Sequence, residues 1–341
     1  MNEAPSFWWK KSNAMALVLA PFSWGYGWVA GWRMGRKPGH VSKLPVLCIG
    51  NFIAGGAGKT PTAIAIAKMA KKMKLKPGFL SRGYGGGITS PTIVNTNQHN
   101  SHDVGDEPLL LAAKFPTVVS PDRAKGSLLL EEQGVDFIIM DDGFQNPSLH
   151  KDYSLVVVDA RRGIGNGFAM PGGPLRANLG VQLSHANAIL VVGKATGADR
   201  VIRAAARRAK PVYEAVVKPA KPRGWKGQNV LAFAGIADPI KFFTSLEQAG
   251  ANIVERRSYG DHHVLNVEEM EEMLHLAKRK ELEIVTTSKD AVRLKDTGRV
   301  QNELYNQLKV FEIELVFESE RIVRSLIEET IRLAKSFRLD N

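Results

Sequence analysis

The chain is almost without cysteine: Cys48 is the only one in 341 residues. No intramolecular disulfide can form and no cysteine-based zinc site can close, which favours a reducing compartment. Acidic residues are in deficit, 34 Asp+Glu against 46 Lys+Arg, for a formal net charge of +12. Nucleic acid, an anionic membrane surface and a phosphorylated substrate would each suit a basic protein, and charge alone does not choose among them. Fixed-period repeats and low-complexity tracts are missing. With 44% hydrophobic and 23% charged residues, disorder, collagen and coiled coil are excluded, and the length suffices for two ordinary domains. Outside the N-terminal segment no window is apolar enough to span a bilayer.

Aromatic residues make up only 8% of the chain and are unevenly placed. Five of the six tryptophans, Trp8, Trp9, Trp24, Trp28 and Trp32, fall in the first tenth, around an uncharged stretch from Ser12 to Trp32. Lys10 and Lys11 precede that stretch, and Arg33, Arg36 and Lys37 follow it. Trp24, Trp28 and Trp32 recur every four residues and would share one helix face. Tryptophan and cations favour the level of lipid headgroups, while Pro21, Ser23, Gly25, Gly27 and Gly31 make a poor continuous span. The segment therefore reads as an amphipathic helix lying in or dipping into one leaflet. A helix packed on the protein's own core or on a second subunit is the competing reading, and a secretory signal peptide, cut near Val18-Leu19-Ala20, a third.

From Leu44 onward short apolar runs alternate with helical patterns, the mark of an α/β chain with a mainly parallel sheet. Strands are expected over 45–50, 78–81, 117–120, 136–140, 154–159 and 188–192. The segment 218–228 carries Pro219, Pro222, Gly224 and Gly227 among cations, which marks a linker. A second α/β unit follows, with strands over 229–234, 252–255, 283–286 and 310–315, and helices over 239–249, 267–279 and 319–337. The expected organisation is a membrane-associated helical segment over 1–37, a phosphate-loop core over 38–217, the linker, and a smaller α/β domain over 229–341.

Val46-Leu47-Cys48-Ile49-Gly50 is an apolar strand, and Ala54-Gly55-Gly56-Ala57-Gly58-Lys59-Thr60 follows just ahead of a helical pattern. Small residues let consecutive N–H groups surround phosphate oxygens, and a helix N-terminus adds positive potential. Lys59 can reach the β/γ-phosphates and Thr60 can offer its hydroxyl to Mg²⁺. The loop is a variant, because Ile53 stands where the consensus has glycine. The expected ATP-binding residues are Ile53, Ala54, Gly55, Gly56, Ala57, Gly58, Lys59 and Thr60. Asp136-Phe137-Ile138-Ile139-Met140-Asp141-Asp142 is an apolar strand ending in paired carboxylates, and beside such a loop they are expected to hold Mg²⁺.

Further motifs follow in order: Leu80-Ser81-Arg82-Gly83-Tyr84-Gly85-Gly86, Gly105-Asp106-Glu107-Pro108, Asp122-Arg123, Asp141-Asp142-Gly143-Phe144-Gln145, Pro171-Gly172-Gly173-Pro174-Leu175-Arg176, Asp261-His262-His263 and Thr286-Thr287-Ser288-Lys289-Asp290. Together with the variant loop and the tryptophan-rich N-terminus, this succession closely resembles the tetraacyldisaccharide 4′-kinase family of lipid A biosynthesis, over nearly the whole chain. The resemblance implies phosphoryl transfer from ATP, with Mg²⁺, to the 4′-hydroxyl of an acylated glucosamine disaccharide 1-phosphate. It places the protein at the cytoplasmic face of the bacterial inner membrane, peripheral or monotopic, as a monomer without a nucleic-acid partner. It also implies a catalytic pair of Asp106 and His262, with His263 the second choice, alongside Lys59.

One departure is plain: the family's Pro-Leu-Arg is usually followed by Glu, and here Ala177 follows Arg176. Metal binding would then fall to Thr60, Asp141, Asp142 and Glu107. Arg82, Arg123, Gln145 and Arg176 are expected to contact phosphate or substrate, and Lys289 and Asp290 to form a wall closing over the nucleotide from the second domain. The main alternative is a membrane-associated ATPase switch of the MinD or ParA kind. Its loop carries a signature lysine where Ala54 stands, so the sequence favours a kinase of a small substrate.

Overall fold

The computed structural model describes residues 4–10, 14–56, 58–221, 224–261, 263–294 and 298–340. In the N-terminal region, α1 (Ala14–Val18) and α2 (Ala20–Met34) precede β1 (Val46–Gly50) and α3 (Lys59–Lys72). Then come β2 (Pro77–Ser81), β3 (Thr92–Ile93), α4 (Ser101–Val104), α5 (Asp106–Ala112), β4 (Thr117–Val119), α6 (Arg123–Glu132) and β5 (Phe137–Asp141). The first half closes with β6 (Tyr153–Asp159), α7 (Leu179–His185), β7 (Ala188–Val192), α8 (Asp199–Ala206) and β8 (Val212–Pro219).

The second half holds β9 (Asn229–Ala234), α9 (Pro239–Gln248), β10 (Asn252–Ser258), α10 (Val267–Lys280), β11 (Glu283–Thr287), α11 (Ser288–Leu294), α12 (Arg299–Gln307) and β12 (Leu308–Phe311). It ends with β13 (Ile313–Phe317) and α13 (Glu320–Leu339).

Nine strands form one sheet in the order β13-β8-β7-β6-β1-β5-β2-β4-β3, and four form a second in the order β10-β9-β11-β12. The large sheet is parallel except at its edges, where β13 runs against β8 and β3 against β4. Helices cover both faces of a parallel sheet, so its central strands must be apolar throughout. Along β1, Val46 and Cys48 join one core cluster and Leu47 and Ile49 the other. The small sheet divides in the same way: Val230 and Ala232 face one cluster, Leu231 and Phe233 the other.

Three expectations change. The run expected as one strand over 310–315 is two strands in different sheets, broken at Glu312. Val310 belongs to β12 in the small sheet and Leu315 to β13 in the large one. The second unit therefore does not extend to 341. At β13 the chain returns to the first sheet, and α13 sets Val323, Leu326 and Ile327 against Ala63 and Ile66 of α3.

The linker expected over 218–228 is shorter than its breaker density suggested. Lys218 and Pro219 extend β8, and Trp225 is buried against Phe311 in the small domain's core. The strand β8 itself was not anticipated, because Glu214 and Lys218 interrupt its apolar run. The amide of Ala220 donates to the Glu312 carbonyl at 2.9 Å, so the outward and return crossings lie side by side.

Candidate functional site

The phosphate loop leaves the carboxyl end of β1, between β5 and β6 at the middle of the large sheet. A crevice at the carboxyl ends of central parallel strands is where such folds bind ligands. Gly58 caps α3 with φ +87°, a left-handed conformation that favours glycine. The Lys59 and Thr60 side chains that follow are buried, at the head of the helix.

The variant position now has a physical account. Ile53 bridges Leu175, the Ala54 amide donates to the Pro174 carbonyl at 2.8 Å, and the Arg176 amide donates to the Phe52 carbonyl at 2.8 Å. The amide of Ala54 is thus committed to the Pro-Leu-Arg strap, and Ile53 is a buried apolar anchor. Among the described residues the phosphate cradle narrows to Gly55, Gly56, Gly58, Lys59 and Thr60, while Ala57 lies outside them.

Asp141 ends β5 fully buried, and neither of its carboxylate oxygens has a hydrogen-bond partner among the described residues. Burial, with the nearby Glu107 carboxylate, pushes its pKa up to about 7. An orphaned buried carboxylate at the end of β5, the strand next to β1, is the kind of oxygen donor a hard cation takes, so its chemistry fits Mg²⁺.

Asp142 is held differently. Arg176 donates to both its oxygens, at 2.8 and 3.2 Å, and Lys59 Nζ lies 3.7 Å away. Burial would raise its pKa, but Lys59 and Arg176 outweigh burial and hold it at about 2. Behind this pair, Gln145 accepts from Arg176 at 3.3 Å and donates to the Asn51 carbonyl and to Gln182. Gln145, expected to touch substrate, instead braces Arg176 from within, because its amide group is engaged by protein on both sides.

The facing wall is α5. Gly105, with φ +88°, turns the chain so tightly that a Cβ there would lie 2.5 Å from the Tyr84 carbonyl oxygen. The turn sets Asp106 and Glu107 at the helix start, and the small domain reaches both from α11. Arg293 Nε and Nη2 approach Asp106 Oδ2 at 2.7 and 2.6 Å, and Lys289 Nζ donates to Glu107 at 2.7 Å. Burial would raise the Glu107 pKa, but Lys289 and Lys59 hold the carboxyl below its usual range. Glu107 is therefore satisfied by a cation of the protein, as Asp142 is by Arg176, whereas Asp141 has no such partner among the described residues. Lys289 faces Glu107 from α11, and Asp290, which lines the space between the domains, is held by Arg293 and Thr287. A second seam pairs Asp159 with Lys241 and Arg161 with Asp238.

Between the domains lies a cavity of about 570 Å³, lined among others by Tyr84, Asp106, Tyr259, His263, Val264 and Arg293. His263 stacks on Tyr259 and shares its Nε2 with Glu269 at 3.0 Å. His262 lies outside the described residues. Arg82 is exposed at the end of β2. Arg123 is 1% exposed, its guanidinium donating to the Ser120 carbonyl, and burial together with Arg82 lowers its pKa to about 10. Sequence reasoning missed Arg293 and Gln182. The spacing of Asp290 and Arg293, three residues apart on a helix, was the available signal for the first. Gln182, fully buried and donating to the carbonyls of Phe52 and Ala177, carried none.

The N-terminal helix α2 has two faces. Ser23, Gly27, Gly31 and Met34 are buried, Gly27 against Ala169 and Gly31 against Val181, and the Gly172 amide donates to Ser23 Oγ at 2.9 Å. Trp24, Trp28 and Trp32 are 78, 67 and 56% exposed on the other face. No helix among the described residues is long and apolar enough to cross a membrane.

The model of the family described as tetraacyldisaccharide-1-P 4′-kinase matches residues 15–332. A tetraacyldisaccharide 4′-kinase of Rhizobium rhizogenes is 50% identical over 339 residues, covering 99% of this chain and 96% of its own. One from Agrobacterium fabrum is 49% identical over 97% of this chain and 95% of its own. The crystal structure of LpxK from Aquifex aeolicus in complex with ATP shares the fold, with a TM-score of 0.70 over 93% of this chain and 99% of that one at 23% identity. The chain belongs to the tetraacyldisaccharide-1-P 4′-kinase family.

Proposed function

We infer that this protein is an ATP-dependent kinase that transfers the γ-phosphate to the 4′-hydroxyl of tetraacyldisaccharide 1-phosphate, the phosphorylation that yields the bisphosphorylated lipid A precursor. The observation that carries the reading is the phosphate loop leaving β1 next to the strand that ends in the buried Asp141, whose carboxylate has no hydrogen-bond partner among the described residues, in a chain with full-length kinase relatives. Gly55, Gly56 and Gly58 cradle the phosphates and Lys59 neutralises their charge. Asp141 and Thr60 would hold Mg²⁺, which when bound draws charge from the transferring phosphoryl group.

A sugar hydroxyl is a poor nucleophile, so the remaining requirement is positioning and a proton acceptor. Asp106, aimed into the cavity, takes or orients the hydroxyl proton, with His262 as its proposed partner. Arg82, exposed just beyond β2, suits an anionic group of the substrate. The exposed tryptophan face of α2, bracketed by Lys10, Arg33, Arg36 and Lys37, supports docking on the surface of the inner membrane. Both walls of the crevice come from one chain, which supports a functional monomer.

Transfer of radiolabelled γ-phosphate to the disaccharide 1-phosphate in mixed micelles tests the reading. Wild type should give a labelled lipid only with Mg²⁺, and Lys59→Ala should lower turnover by about 10²–10³-fold. Binding of ATP without labelling of lipid would overturn the substrate assignment.

A further inference from the structure

We propose that Arg293 is a positioning residue for phosphoryl transfer, through which the small domain orients Asp106. The inference rests on the reading of Asp106 as the group that handles the hydroxyl proton. The side chains of Arg293 and Asp106 are 9 and 8% exposed, and both line the cavity between the domains.

The guanidinium is gripped on the small-domain side: Nη1 donates to the Gly235 carbonyl at 2.7 Å and to Asp290 Oδ1 at 2.9 Å. Asp290 is itself fixed, since Thr287 Oγ1 donates to its Oδ2 at 2.7 Å. The other edge of the same planar group, Nε and Nη2, meets a single oxygen, Asp106 Oδ2. A planar fork locked on one edge transmits its orientation through the other, which a flexible ammonium cannot do. One residue along α5, Lys289 and Glu107 make a second tie between the same two helices.

Asp106 starts a seven-residue helix after Gly105 and lies on the large domain, whereas Gly235 and Asp290, which hold the other edge of Arg293, lie on the small one. The carboxylate is therefore aimed when the two domains are clasped. The effect assigned to Arg293 runs through Asp106, whose Oδ2 it holds.

Steady-state kinetics of Arg293→Met, Arg293→Lys, Asp106→Asn and the Asp106→Asn/Arg293→Met double variant test this, with melting temperature as a check on folding. Arg293→Met should lower kcat about 100-fold, the scale of a misplacement by roughly 1 Å, with the KM for ATP within about twofold of wild type. Arg293→Lys should recover part of the loss. In the Asp106→Asn background, Arg293→Met should cost nothing further.

Because Arg293→Met strands the buried Asp290, Arg293→Met/Asp290→Asn carries the same expectation with charge balance kept. A kcat for Arg293→Met within about twofold of wild type overturns the inference, as does a loss of equal size in the Asp106→Asn background. Wild-type turnover in Asp106→Asn itself removes the proton-handling reading and this inference with it.

Discussion

Two neighbouring carboxylates show how far environment governs chemistry at the scale of one residue. Asp141 and Asp142 follow each other in sequence, yet one is orphaned in the core and the other is clamped by Arg176. Above a pH of about 7 the folded, metal-free protein carries an ionised Asp141 that no described residue hydrogen-bonds, a cost absent from the unfolded chain. Its stability should fall as pH rises from about 4 towards 7. Asp141→Asn should raise the melting temperature of the metal-free protein at pH 8 and abolish the further rise that Mg²⁺ with ATP produces in wild type, as calorimetry would record.

Cys48 behaves in a related way in the middle of β1. Burial, the largest influence, pushes its thiol up to about 12 from an ordinary value of 9.0. The unfolded thiol ionises first, so the native state loses stability as pH rises above 9. Native protein should resist iodoacetamide at pH 8 and react only when unfolded in urea. Equal labelling rates in the two states would refute the burial argument.

At the scale of elements, the C-terminal helix illustrates a strap that local pattern alone could not place. The apolar stripe of α13 was legible from its 3.6-residue period, but its partner was not. Arg338 donates to both oxygens of the fully buried Asp152 side chain, at 2.9 and 3.2 Å, and to the carbonyls of Ser42 and Leu44. Asp152 in turn accepts from the Val46 amide at 2.7 Å at the start of β1, so the last helix is tied to the strand that leads into the phosphate loop. Arg338→Met leaves a buried carboxylate uncompensated and should cost about 3 kcal/mol in urea unfolding. Arg338→Met/Asp152→Asn should cost clearly less.

The strands β1, β5, β6 and β7 were each readable within a residue or so, because a buried parallel strand is a continuous apolar run bounded by turn residues. Where the chain crosses at Glu312, the apolar pattern continues through the break. Only the pairing of Leu308–Phe311 with β11 and of Ile313–Phe317 with β8 separates the two strands.

Seen whole, the molecule joins an exposed aromatic face to the surroundings of the phosphate loop through the packed face of α2. Ser23 meets Gly172 in the same Pro-Gly-Gly-Pro-Leu-Arg segment that supplies Arg176 to Asp142 and pairs with Ile53. The reading of a helix packed on the protein holds for one face of α2, and the other, exposed face is open to the proposed membrane contact. Replacing Trp24, Trp28 and Trp32 together by serine should lower co-sedimentation with anionic vesicles by roughly tenfold or more, with ATP affinity unchanged. Undiminished co-sedimentation would remove the membrane role from this face.

The order of elements around the phosphate loop, the acid-ended strand beside it and the family itself were written in the sequence, because each rests on local spacing and on motifs read in succession. Long-range placement decided the rest. The commitment of the Ala54 amide, the inward turn of Gln145, the return of the chain to the first sheet and the grip of Arg293 on Asp106 depend on residues far apart in sequence. Their partners are chosen by how the two sheets pack, and no periodicity along the chain records that choice.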